Sequence, residues 1–122
     1  MGFTETLDSV VQVLRTAGLE AAADARDLNP PTVRVTPAAL VPPSKLCGFL
    51  SLRIYLDLTA RDSGDRPALD QLQELYTRVT AIATIRRALV TGEAPFTRTR
   101  TAADPTGLPS LRLTIETPIT TT

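Results

Sequence analysis

Between Leu50 and Leu58 the chain alternates without a fault: Leu50, Leu52, Ile54, Leu56 and Leu58 fall on one side, and Ser51, Arg53, Tyr55 and Asp57 on the other. Successive side chains of an extended strand point to opposite faces, so this period of two predicts a strand with one buried face. No helix could bury these leucines together. The alternation predicts a strand over Leu46–Thr59, central to its sheet, that would reach roughly 46 Å if fully extended. Phe49 and Tyr55 lie on its otherwise polar face, where a second layer, another subunit or the chain's own helix could cover them.

Around that strand the spacing changes. Phe3, Leu7, Val10, Val11, Leu14 and Ala17 recur at three and four residues, the stripe of an amphipathic helix that Thr4 or Thr6 could cap and Gly18 could end. An alanine-rich stretch follows at 20–25, and DARDLNPPTVRV then sets two prolines before a short β-branched run. Proline cannot continue a helix, so TVRV at 32–35 reads as a short strand that Pro37, Pro42 and Pro43 end, best placed at a sheet edge. After ARDSGDRP, with Asp65 as a candidate N-cap, Leu69, Leu72, Leu75, Tyr76, Val79, Ile82, Ala83, Leu89 and Val90 predict one helix of about six turns. Gly92 and Pro95 close it.

FTRTRT and SLRLTIET read as an antiparallel pair joined at DPTG, the first of them an edge strand with Arg98 and Arg100 on one face. The fold class predicted is α+β: a mostly antiparallel sheet of about four strands packed against two helices, in the order α-β-β-α-β-β. Residues 1–122 form a single domain, with a flexible or neighbour-contacting tail from about residue 118.

Composition removes several function classes. Thirteen basic residues balance thirteen acidic ones, leaving no global field to draw in nucleic acid or anionic lipid. No apolar run approaches the ~20 residues of a membrane span, and MGFTETLDS lacks the basic and apolar regions of a signal peptide, so a soluble cytoplasmic protein is expected. Cys47 is the only cysteine, expected to be buried, and histidine is absent. Ser-His-Asp and Cys-His nucleophiles and mixed Cys/His metal sites therefore cannot be built. The glycines are isolated, so no phosphate loop forms. Asp57, Asp62 and Asp65 gather around one turn, which reads as a solvated loop and helix cap rather than as paired catalytic carboxylates. No catalytic, cofactor-binding or metal residue is assigned, and no enzyme activity is expected.

Arg78, Arg86, Arg87, Arg98 and Arg100 gather between 75 and 101, with only Glu93 opposing them. With little aromatic interleaving these arginines are a weak nucleic-acid signal. Arg86, Arg87, Arg98, Arg100, Phe49 and Tyr55 are the candidate interface residues.

The leading helix, DARDLNPPTVRV, LSLRIYLDL, the LDQLQELYTRV helix and the closing β pair together resemble the tail terminator proteins of long-tailed bacteriophages. That resemblance covers nearly the whole chain and implies a small α+β subunit of the virion, assembled in the host cytoplasm. It implies a homohexameric ring that caps the tail tube, partnered by itself, the tail tube protein and the head-tail connector. DNA would touch it only in passing through the lumen. Another phage neck or tail-tube-like protein, a non-viral bacterial interaction domain, and a ligand-binding or catalytic domain are the alternatives. No family residue roles carry over, because the resemblance lies in layout rather than in a motif.

Overall fold

The computed structural model describes residues 2–23, 31–42, 50–61, 64–90, 92–100 and 107–119. Along the chain run α1 (Phe3–Thr16), β1 (Ala21–Ala22), β2 (Thr32–Val41), β3 (Ser51–Thr59), α2 (Asp65–Thr80), α3 (Ala83–Ala88), β4 (Phe96–Thr99) and β5 (Leu108–Pro118). The strands lie in the order β1-β2-β3-β5-β4. β3 is therefore central, as its alternation predicts. Its partners are antiparallel, from Ser51 opposite Pro118 to Thr59 opposite Ser110 on one side and from Val41 to Thr32 on the other.

α1 shows how local sequence sets an element's end. Its last turn closes with Leu19 N–H donating to Leu14 O at 3.1 Å and Gly18 N–H to Arg15 O at 2.9 Å. This pair of bonds needs a left-handed residue, which Gly18 supplies at φ 86°. The start differs from expectation. Neither threonine caps it: Gly2 is the N-cap, and the Thr6 hydroxyl donates back to Gly2 O at 2.8 Å.

Four further expectations are corrected. The sheet has five strands and is mixed, because Ala21 and Ala22 form a short strand parallel to Val33 and Arg34. Two small residues carry no alternation, so the pattern gave no sign of it; Arg15 Nε helps to fix it by donating to Ala21 O at 3.0 Å. β2 is neither short nor at the margin of the order: it continues through Pro37 to Val41, and its register steps between Pro37 and Ala39. The proline is tolerated because the odd-numbered residues up to that point turn their N–H away from β3, as Val33 does in donating to Glu20 O at 2.9 Å.

Among the described residues three helices, not two, back the sheet. The expected long helix breaks at Ile82, whose ψ of 116° is extended. Thr77 and Thr80 each donate their hydroxyl to the carbonyl four residues earlier, at 2.9 and 2.7 Å, and the run from Val79 to Ile85 is rich in β-branched residues. Beyond α3, Leu89 and Val90 are extended, with Leu89 bridged to Ile115 and Val90 N–H bonded to Thr114 O at 2.9 Å. Finally, α2 starts at Asp65 with Gly64 as N-cap.

All three helices cover one side of the sheet. Val33, Val35, Leu52, Ile54, Leu56, Leu58, Leu113 and Ile115 meet Val10, Leu14, Leu72, Leu75, Val79 and Ile85 there in a single core. Cys47 and Phe49, and the DPT of the DPTG turn, lie outside the described residues. Among the described residues no helix is long and apolar enough to cross a membrane.

Candidate assembly surface

The side of the sheet away from the helices carries polar rows, set by register. Arg34, Asp57 and Arg112 lie across β2, β3 and β5, as do Thr36, Tyr55 and Thr114, and as do Ala39, Arg53 and Glu116. Asp57 is almost wholly buried, and its two oxygens accept from Arg112 Nε at 2.8 Å and Nη2 at 3.3 Å. This hydrogen-bonded carboxylate raises the Arg112 pKa above the ordinary guanidinium value, against the opposing effect of burial. The same guanidinium sits 4.2 Å from the centre of the Tyr55 ring. Arg53 and Glu116 pair at 3.4 Å. On the other flank of Asp57, Arg34 Nε is buried and has no hydrogen-bond partner among the described residues.

At one end of this face Thr59, Thr99 and Ser110 are buried together, with Thr99 and Ser110 hydroxyls 2.7 Å apart and Thr59 at 3.3 Å from Ser110. A hydroxyl cluster of this kind satisfies its own polar atoms. Asp57 is held by Arg112, so it is not a free base. Asp62 lies outside the described residues, and among those residues no group of three potential metal ligands occurs.

The expected basic patch is not one patch. Arg86 and Arg87 stand on α3, whose Ile85 shares a cavity with Ile115, whereas Arg98 pairs with Pro109 at the far end of β5. Those two points are roughly 20 Å apart along the strand. Arg78 is a tie between helices, its Nη2 donating to Gly18 O at 3.0 Å. Arg98 likewise donates through Nη1 to Gly107 O at 2.9 Å, and Arg87 Nε donates to Ala83 O. Tyr55 lies under Arg112 on the helix-free side, the face opposite to α3, and its partner Thr114 is five positions along β5 from Pro109, the partner of Arg98.

Exposed apolar side chains gather instead at the two margins of the sheet. On the β4 side are Phe96 at 67 % exposure, Leu69 at 50 % and Tyr76 at 43 %; on the β2 side is Leu40 at 50 %, and Phe3, 49 % exposed, stands at the start of α1. Phe96 and Leu69, with Ala68, Leu72 and Pro109, line an open groove of about 530 Å³ between β4 and α2. Sequence reasoning placed Leu69 on the buried helix face and read FTRTRT for its charges; the signal available was Phe96, an aromatic residue in an otherwise polar edge strand. Compared with known proteins, the chain matches no family model and no curated protein.

Proposed function

We propose that this chain is a structural protein of a phage tail, a ring-forming tail terminator that caps the tube and joins it to the head connector. The observation that supports this reading best is the placing of large exposed apolar side chains at opposite margins of one sheet, Phe96 and Leu69 beside β4 and Leu40 on β2. A surface used once, by a single partner, needs one such patch. Two different patches on opposite margins suit head-to-tail contact between copies, which closes into a ring when the rotation between neighbours permits. With both Asp57 oxygens taken up by Arg112, contact rather than turnover is the work we assign to this surface.

Mass photometry of the purified protein, alone and with preformed tail tubes, tests the reading. A closed oligomer, or binding confined to tube ends, is the expected result. A strict monomer that ignores tube ends overturns it.

A further inference from the structure

Resting on that self-association, we infer which edges meet: the Ala39–Val41 end of β2 in one copy lies against β4 of the next, and Leu40 enters the groove between β4 and α2. Backbone direction is the first argument. Arg112 N–H bonds to Pro95 O at 2.9 Å, and the register then places Thr97 and Thr99 toward β5. Bonding alternates along an antiparallel pair, so Phe96 and Arg98 turn their N–H and C=O outward, toward the margin.

On the opposite margin β1 covers only Val33 and Arg34, and from Val35 onward β2 has no neighbouring strand among the described residues. The register step at Pro37 changes which residues face outward. Ile119 N–H bonds to Leu50 O at 2.9 Å, which assigns the even residues of β3 to β5 and the odd ones to β2. Ala39 and Val41, opposite Arg53 and Ser51, therefore bond inward, and Leu40 presents its backbone outward. Pro37 and Pro42 have no N–H to give, which confines any added pairing to a short stretch centred on Leu40. β4, with four residues, is short in the same measure.

Side-chain facing agrees. Leu40 lies opposite Leu52 on the helix side, yet it is 50 % exposed where Leu52 is 3 % exposed, so its outer flank lacks cover. Phe96 lies opposite Leu111, also on the helix side. Joining the two edges keeps the helices of both copies in one layer and sets Leu40 beside Phe96 and Leu69 of its neighbour. Strand addition of this kind draws affinity from main-chain bonds and selectivity from a side-chain pocket. Charge points the same way: Arg98 lines the groove, and Glu5 and Asp8 stand on α1, which packs over β1 and β2.

Cysteines test the register directly. In a Cys47→Ser background, Leu40→Cys with Phe96→Cys in one chain should give a ladder of disulfide-linked multimers under mild oxidation, because paired strands hold Cα atoms ~5.5 Å apart, within disulfide reach. Either cysteine alone should give no species beyond a dimer. Leu40→Asp and Phe96→Asp should each weaken self-association at least tenfold while leaving the thermal midpoint in place. If the wild-type chain assembles but the double-cysteine variant links no further than the single ones, this edge pairing is wrong and the assembly reading survives. If the wild type does not assemble at all, both fall together.

Discussion

Replacing Asp57 by leucine isolates the ion pair between the buried Asp57 and Arg112 within the sheet. The carboxylate is 3 % exposed and takes both Arg112 donors, with Arg34 opposite it on the neighbouring strand. Its loss leaves two guanidinium groups facing an apolar side chain. Breaking a buried pair from one side costs ~3–5 kcal/mol, and because the Arg112 side chain keeps 34 % exposure, water offsets part of that, giving about 3 kcal/mol. For a chain of this size, that corresponds to a fall of roughly 10–15 °C in the unfolding midpoint. Asp57→Leu with Arg112→Leu removes both charges and should recover part of the loss, to within ~2 kcal/mol of wild type, the remainder including the contact with Tyr55. Arg112 is a cation whose pKa is raised on folding, so its share of the stability is fully present below its unfolded value and is lost only as pH climbs past the folded one. Both values are strongly alkaline, and the effect of the substitution should not vary between pH 6 and about 9 on this account. Urea and thermal unfolding of the four proteins measure the cycle. Equal stability of Asp57→Leu and wild type, or a double variant that loses the sum of the two single losses, refutes the reasoning.

Ile54→Asp places an unpaired charge at a fully buried position between Pro37 and Ile115; it should cost more than ~4 kcal/mol and leave no cooperative unfolding transition by circular dichroism. Gly107→Ala forces a side chain at φ 95° and brings its Cβ within 2.8 Å of Arg98 Cβ, so ~1–3 kcal/mol should be lost in chemical denaturation. Ser110→Ala strips a partner from both Thr99 and Thr59 in the buried hydroxyl cluster and should cost ~1–3 kcal/mol by the same assay. Arg98→Glu should destabilise by about 1 kcal/mol through its lost bond to Gly107 O, whereas Arg100→Glu should leave stability within ~0.5 kcal/mol of wild type.

What the sequence discloses and what it hides divide along a physical line. Burial periodicity is written in side-chain type, and so β3, β5, α1 and α2 are legible from Leu52–Leu58, Leu111–Ile115, Val10–Leu14 and Leu72–Val79. Hydrogen-bond partnership is not written there. Ala21–Ala22 becomes a strand because Val33 offers its N–H to Glu20, and β2 passes through Pro37 because that residue's missing donor falls on the outward side. The break at Ile82 depends on whether threonine hydroxyls and β-branched side chains outweigh a continuing apolar stripe, a balance that the tertiary contact of Ile85 decides. The candidate surface was the least legible. Arginines attracted notice as charges, but Arg78, Arg87 and Arg98 spend their donors on carbonyls of the same chain, and the exposed margin is apolar.

Among the described residues the strand latest in the chain lies in the interior of the sheet: β5 is inserted between β3 and β4. Until residues 108–118 have left the ribosome, the long flank of β3 and the whole of β4 have no companion, and the leucines of β3 stand without half their layer. A prematurely stopped product therefore lacks the middle of the sheet rather than a dispensable end, and it should be cleared or precipitate instead of persisting as a shortened subunit.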